Sequence, residues 1–203
     1  YLASIAGVYT IVSIGLNLLF GFTGLISICH AAFLGTGAYV TAILLTRVPL
    51  LPFPIILILS GLLAAVLGLI VGLPALRLSG HYLAMATMGF GFVMEEIFLH
   101  LESLTKGALG ITVPKACIGP ILFNTGTSKY YLILILVLVM IFLAKNLLNS
   151  KTCRAFISVR DHEVAAQTLG IHLAWYKTIS FVISAFYAGI AGSLYAILLS
   201  YIN

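Results

Sequence analysis

Charge is what this chain has least of. Charged residues make up 7% of its 203 positions, where soluble domains carry about 25%. No Gly-Lys dipeptide occurs, which excludes a P-loop and nucleotide hydrolysis by this chain. Gly89-Phe90-Gly91 has Met94 where a dinucleotide fingerprint needs its third glycine. His162-Glu163 has Ala166 where a zinc-protease helix needs its second histidine. Asp161 is the only aspartate, so an intramembrane aspartyl dyad is excluded, and no orienting acid or oxyanion motif accompanies Ser27 and His30 as a hydrolytic pair. Cys29, Cys117 and Cys153 fall in separate segments, without a CxxC pair or metal-ligand spacing. The chain is expected to be neither an enzyme nor the holder of a metal or other cofactor.

What it has instead is apolar length. The composition is 62% hydrophobic and the mean hydropathy is +1.21. A bilayer core of about 30 Å needs roughly 20 apolar residues in helix. Six stretches meet or approach that requirement, at about 2–20, 25–46, 51–73, 82–101, 130–148 and 175–201. Helices are the expected form, because each span must satisfy its own backbone hydrogen bonds in lipid, and the alternating runs of a transmembrane barrel are missing. The fold class is therefore all-α, a polytopic helix bundle forming one domain over 1–203. No removable signal peptide precedes the first span and Asn203 follows the last closely, so an internal portion of a longer protein is expected.

The net charge of +5 sits between spans and at their ends, which is a topology signal and not a nucleic-acid-binding face. Lys145, Lys151, Arg154, Arg160 and Lys177 mark the 146–176 loop as cytoplasmic by the positive-inside bias. Alternation then places Arg77 inside, and Arg47, Lys106, Lys115, Lys129 and the long 102–127 loop outside. Gly21-Phe22-Thr23-Gly24 reads either as a tight turn or as a break in a discontinuous helix.

Helices in lipid approach closely only through small residues. Ser60, Ala64, Gly68 and Gly72 recur every fourth residue, as do Ala185, Gly189 and Ser193, then Ala188, Gly192 and Ala196, and Ser27, Ala31 and Gly35. The 130–148 run is Leu/Ile/Val-rich with no glycine and suits a lipid-facing helix. Asn17, Ser27, His30 and Glu95 are candidate translocation-pathway residues, since polar groups within spans are costly. For Asn17 and His30 the plainer reading is hydrogen-bonded bundle packing. For Glu95 and its neighbour Glu96, about 9 Å from the outer end of their span at 1.5 Å per residue, it is an interfacial position.

The polar interruption Arg160-Asp-His-Glu-Val-Ala-Ala-Gln-Thr-Leu-Gly170 stands out against this background. Asp161 can cap a helix carrying Glu163 in its first turn. Val164, Ala165, Thr168 and Leu169 give it a narrow apolar stripe, and Gly170 supplies a left-handed stop. Two turns are too short to be stable alone. Such a helix either lies on the membrane surface or inserts into a groove on a cytoplasmic partner.

Glu163-x-Ala165-Ala166-x-x-x-Gly170 resembles the coupling signature of ABC importer permeases. Residues 15–39 (GLNLLFGFTGLISICHAAFLGTGAY), 72–87 (GLPALRLSGHYLAMAT), 103–111 (SLTKGALGI) and 176–195 (YKTISFVISAFYAGIAGSLY) are similar to the branched-chain amino acid permeases of the M type. The resemblance implies a multi-pass subunit of the bacterial cytoplasmic membrane, surrounded by lipid and paired with a homologous second permease. Two ABC ATPase subunits would bind in the cytoplasm, and a periplasmic or extracellular substrate-binding protein would deliver cargo. Glu163, Ala165, Ala166 and Gly170 would then form the ATPase-coupling helix. Phe92 stands where the family commonly has an acid, and Lys106-Gly107 where it has paired glycines. Leucine, isoleucine and valine are the expected cargo. Urea or a short amide carried by the same family, or an ATP-independent carrier or channel, are the alternatives.

Overall fold

The bundle is organised around its last long helix. The computed structural model describes residues 1–48, 51–75, 78, 80–114, 117–118, 121–122 and 126–202. Among the described residues five helices are long and apolar enough to cross a membrane: α1 (Leu2–Thr23), α3 (Phe53–Ala75), α4 (His81–His100), α6 (Gly126–Leu148) and α9 (Leu173–Leu199). The run expected at about 25–46 differs from the other five. Residues 25–29 are not helical, and α2 (His30–Arg47) has only 18 residues, with small and hydroxyl side chains that lower its hydropathy. Its place is against α9 and α3, within protein. Non-helical backbone at membrane depth is tolerated only where protein or a water-filled cavity surrounds it.

α9 is buried along most of its length, from Lys177 to Ile197. The stripes of small residues explain how its neighbours come so close. A Cβ added at Gly68 of α3 would lie 2.6 Å from Ala185 Cβ and 2.8 Å from the Phe181 carbonyl. One at Gly189 would lie 2.8 Å from the Ser60 carbonyl, and one at Gly37 or Gly192 would collide with backbone across the α2–α9 contact. The α3 and α9 stripes thus meet each other. The Ser27-Ala31-Gly35 stripe does not join them: Ala31 and Gly35 face an open cleft toward α4, and Gly37 makes the contact with α9 instead. Ser193 is fully buried with an unpaired hydroxyl among the described residues, so its small size is what the packing uses.

α6 presents Ile133, Val137, Met140 and Ala144 inward along one seam and leaves Ile135, Leu138, Phe142 and other large apolar side chains exposed, as its composition leads one to expect. α4 is buried only at Leu83, Thr87 and Met94. Lys129 Nζ donates to the Ile197 carbonyl (2.6 Å) at one end of α9, while Lys177 meets Glu163 at the other. The two polar regions of the chain therefore lie at opposite ends of an axis about 40 Å long, at 1.5 Å for each of 27 residues.

The described residues between 102 and 127 form short regular elements and not only loop. α5 (Glu102–Thr105) follows α4, Thr105 Oγ1 closes the end of α4 by donating to the Phe98 (2.6 Å) and Leu101 (2.9 Å) carbonyls, and β1 (Ile111–Thr112) pairs antiparallel with β4 (Tyr201–Ile202) beyond α9. β2 (Cys117–Ile118) pairs antiparallel with β3 (Ile121–Leu122). Arg77 and Lys115 lie outside the described residues.

Gly192→Ala should lower the melting temperature of the detergent-solubilised protein through overpacking worth about 1–3 kcal/mol. Gly89→Ala, where an added Cβ meets nothing within 4 Å, should leave the melting temperature within error, which differential scanning fluorimetry would read directly.

Candidate functional site

At the polar end the chain builds two helices where sequence reasoning placed one. α7 (Lys151–Asp161) starts at Ser150, whose hydroxyl accepts from the Cys153 N–H (3.4 Å). It buries Cys153, Ala155, Phe156 and Val159. Its apolar positions follow a serine cap at helical spacing, but the low hydropathy of the stretch hides the helix among loop-like residues. Burial pushes the Cys153 thiol above its ordinary range, as desolvation disfavours a thiolate.

Asp161 is not the cap of the next helix. It ends α7, where Arg160 holds its carboxylate at 3.0 Å, and His162 takes the cap position of α8 (Glu163–Thr168) with no side-chain bond. The reason is proximity. α7 runs into α8 with one residue between, so the Asp161 carboxylate is taken by its cationic neighbour. Arg160 also donates from Nη1 to the Gly21 carbonyl (2.8 Å), one of the orphan acceptors in the last turn of α1.

α8 is held from beneath and bare above. Ala166 is buried, and Glu163 forms a 2.7 Å ion pair with Lys177, a lysine only 3% exposed. Gly170 has φ +82°, and Ile171 N–H returns to the Ala166 carbonyl (3.0 Å), so the glycine stop falls where the sequence puts it. Ala165 and Gly170 are exposed, and Val164 and Leu169 are 77% and 79% exposed.

Deeper in the bundle, Gly24 (φ +72°) ends α1, and residues 21–23 are still helical. The turn is thus at Gly24, and the interruption follows it, up to His30. Ser27 and His30 come together there. Ser184 has one hydroxyl proton, which goes to the Gly15 carbonyl (2.7 Å). His30 Nε2 must then donate to Ser184 Oγ (2.5 Å), leaving Nδ1 to accept from Ser27 (3.2 Å). This relay ties α1, α2 and α9 at one point. Thr87 Oγ1 accepts from Ile28 N–H (3.1 Å) and adds α4. Ser184 and Thr87 lie within stretches that carry the family resemblance, but no local pattern marks either as a hydrogen-bond partner of the 25–30 segment.

The other two candidates lie elsewhere. Asn17 is exposed on α1, beside Thr10, Ser13 and a shallow depression. Glu95 is exposed on α4 and lines a cleft of about 500 Å³ between α2 and α4, opposite Ala31 and Gly35. Glu96 is paired with His100 at 3.3 Å.

A family model for the permease component of branched-chain amino acid transport systems matches residues 1–203. The chain belongs to this permease family. It is 32% identical to the high-affinity branched-chain amino acid transport permease LivM of Salmonella typhimurium and 33% identical to that of Escherichia coli. Each alignment covers 96% of this chain and 51% of the relative. A LivM relative from Methanocaldococcus jannaschii is 25% identical over 94% of this chain and 65% of its own length. The chain therefore spans about half the length of the first two. No solved structure matches.

Within this family member the ion pair at α8 is asymmetric, and that yields a test. Glu163→Gln strands a buried ammonium, a change that costs about 3–5 kcal/mol in fully buried pairs and less here, because Glu163 is half exposed. Lys177→Met removes the buried charge and leaves Glu163 in water. The glutamine variant should therefore melt lower than the methionine variant in a thermal scan. At the relay, Ser184→Ala leaves His30 Nε2–H without its acceptor and takes the second donor from the helix-bonded Gly15 carbonyl, and should destabilise by about 1–3 kcal/mol. Ser27→Ala, which costs one acceptor its donor, should destabilise less in a urea titration.

Proposed function

We propose that this chain is the transmembrane permease subunit of an ATP-driven importer for branched-chain amino acids, working in a cytoplasmic membrane. The observation that carries this reading is α8. A six-residue helix cannot persist by itself, yet this one is fixed to α9 by Glu163–Lys177 and stopped by Gly170. It points Val164 and Leu169 away from the bundle. A helix held rigid beneath with bare aliphatic side chains above suits insertion into an apolar groove. The groove belongs to an ATPase partner, because this chain has no P-loop of its own. The similarity to LivM permeases supports the cargo.

The density of Lys and Arg at the α6–α9 connection supports a cytoplasmic position for α7 and α8, with the 101–125 end facing outward. A homologous permease completes the pathway, and a binding protein delivers cargo at the outer end. ATP-driven movement of the ATPases displaces α8. Glu163–Lys177 carries that displacement into α9, and Arg160 carries it into the end of α1. Ala166 packs beneath α8, while Ala165 faces the groove. Ser27 and His30 hold the interruption before α2, Glu95 faces the cleft beside it, and Asn17 sits on the α1 face available to the companion permease.

Val164→Glu and Leu169→Glu should each reduce leucine uptake and binding-protein-stimulated ATP hydrolysis at least tenfold in proteoliposomes containing the full complex. Both positions are exposed, so the fold should survive. Undiminished transport in both variants would point to an ATP-independent carrier.

A further inference from the structure

We propose that Glu95 is the residue that discriminates cargo, its carboxylate receiving the primary ammonium of an aliphatic amino acid held in the cleft between α2 and α4. This rests on the importer reading and extends it to the chemistry of one passage site.

The cleft measures about 500 Å³, within the range of about 300–1,000 Å³ common to small-molecule sites. Its walls are mainly apolar, with Leu34, Met88, Phe92 and Phe98 among them, and among the described residues Glu95 is the only charged one lining it. Small residues make the room. Ala31, Gly35 and Ala38 line the α2 side, and a Cβ added at Gly91 on the α4 side would meet nothing within 4 Å.

Glu95 is also set apart from the other acids near it. The adjacent Glu96 is taken by His100. Among the described residues, no hydrogen bond or ion pair reaches the Glu95 carboxylate, and no lysine or arginine lines the cleft. An unpaired carboxylate beside apolar walls suits a ligand that brings both a cation and an apolar body. An aliphatic amino acid meets both features, with its ammonium on Glu95 and its side chain against the Leu34–Met88–Phe92 wall. Its carboxylate finds no cation in the cleft and stays at the hydrated mouth. Urea and short amides have neither the cation nor the apolar body, so the site selects against them.

The placement allows passage as well as binding. α4 has few buried residues and meets α2 at Gly35–Phe98, Tyr39–Phe98 and Phe33–Phe90, so few contacts hold it beside the cleft.

The test uses the full-length complex with its ATPases, companion permease and binding protein in proteoliposomes. Glu95→Gln should lower radiolabelled leucine uptake at least tenfold while leaving ATP hydrolysis stimulated by leucine-loaded binding protein within twofold of wild type. Glu95→Asp should recover most of the uptake. Unchanged uptake in the glutamine variant, with wild type active, overturns this assignment alone. Equal loss of uptake and stimulated hydrolysis, unrelieved by aspartate, also overturns it, because Glu95 would then be structural. A wild-type complex that moves no leucine overturns both this assignment and the importer reading.

Discussion

Backbone-to-backbone contact along α9 is the constraint from which the rest of the molecule follows. In lipid there is little hydrophobic gain in burying one apolar helix against another, so association depends on dispersion at short range. Gly37, Gly189 and Gly192 permit that range, since a side chain at any of them would strike the facing helix. α2 and α3 are thereby fixed to α9 with small residues at the contact. Large apolar side chains point away from these contacts and are exposed on α3, α4 and α6.

A helix fixed so firmly at its middle can link what is tied to its ends. At one end the buried Lys177 holds α8 through Glu163. At the other, Lys129 reaches the Ile197 carbonyl and the β1–β4 pair joins the segment after α4 to the residues beyond α9. Between them Ser184 passes a hydrogen bond to α1 and accepts one from His30 at the start of α2. Arg160 adds a second tie from α7 to the end of α1, just before the Gly24 turn. On the proposed reading, a displacement of α8 thus reaches the broken segment at residues 25–29 by two routes, through α9 and through α1.

Much of this was legible in the residues, for reasons that also explain what was not. Long apolar runs report span positions because the bilayer sets a minimum length, and the five long helices fall within a few residues of their expected bounds. The same rule misled at 25–46, where hydropathy is blind to whether backbone is helical. The small-residue stripes of α3 and α9 reported a real contact, while the Ala31–Gly35 pair reported a cleft, because small size serves either purpose. Gly170 was readable as a stop because a positive φ strongly favours glycine. Asp161 was misread as a cap because its competing partner, Arg160, sits beside it in sequence and is oriented by a carbonyl 139 residues away. Ser184 and Lys177 escaped notice as partners because long-range hydrogen bonds leave no local pattern.

On the proposed reading α8 is seated in an ATPase partner. Photo-crosslinking tests this most directly, with a benzophenone side chain placed at Val164 of the full-length protein in its native membrane. A seated helix gives one dominant adduct with an ATP-binding subunit. Adducts with lipid alone would contradict it and make α8 an interfacial helix resting on the membrane.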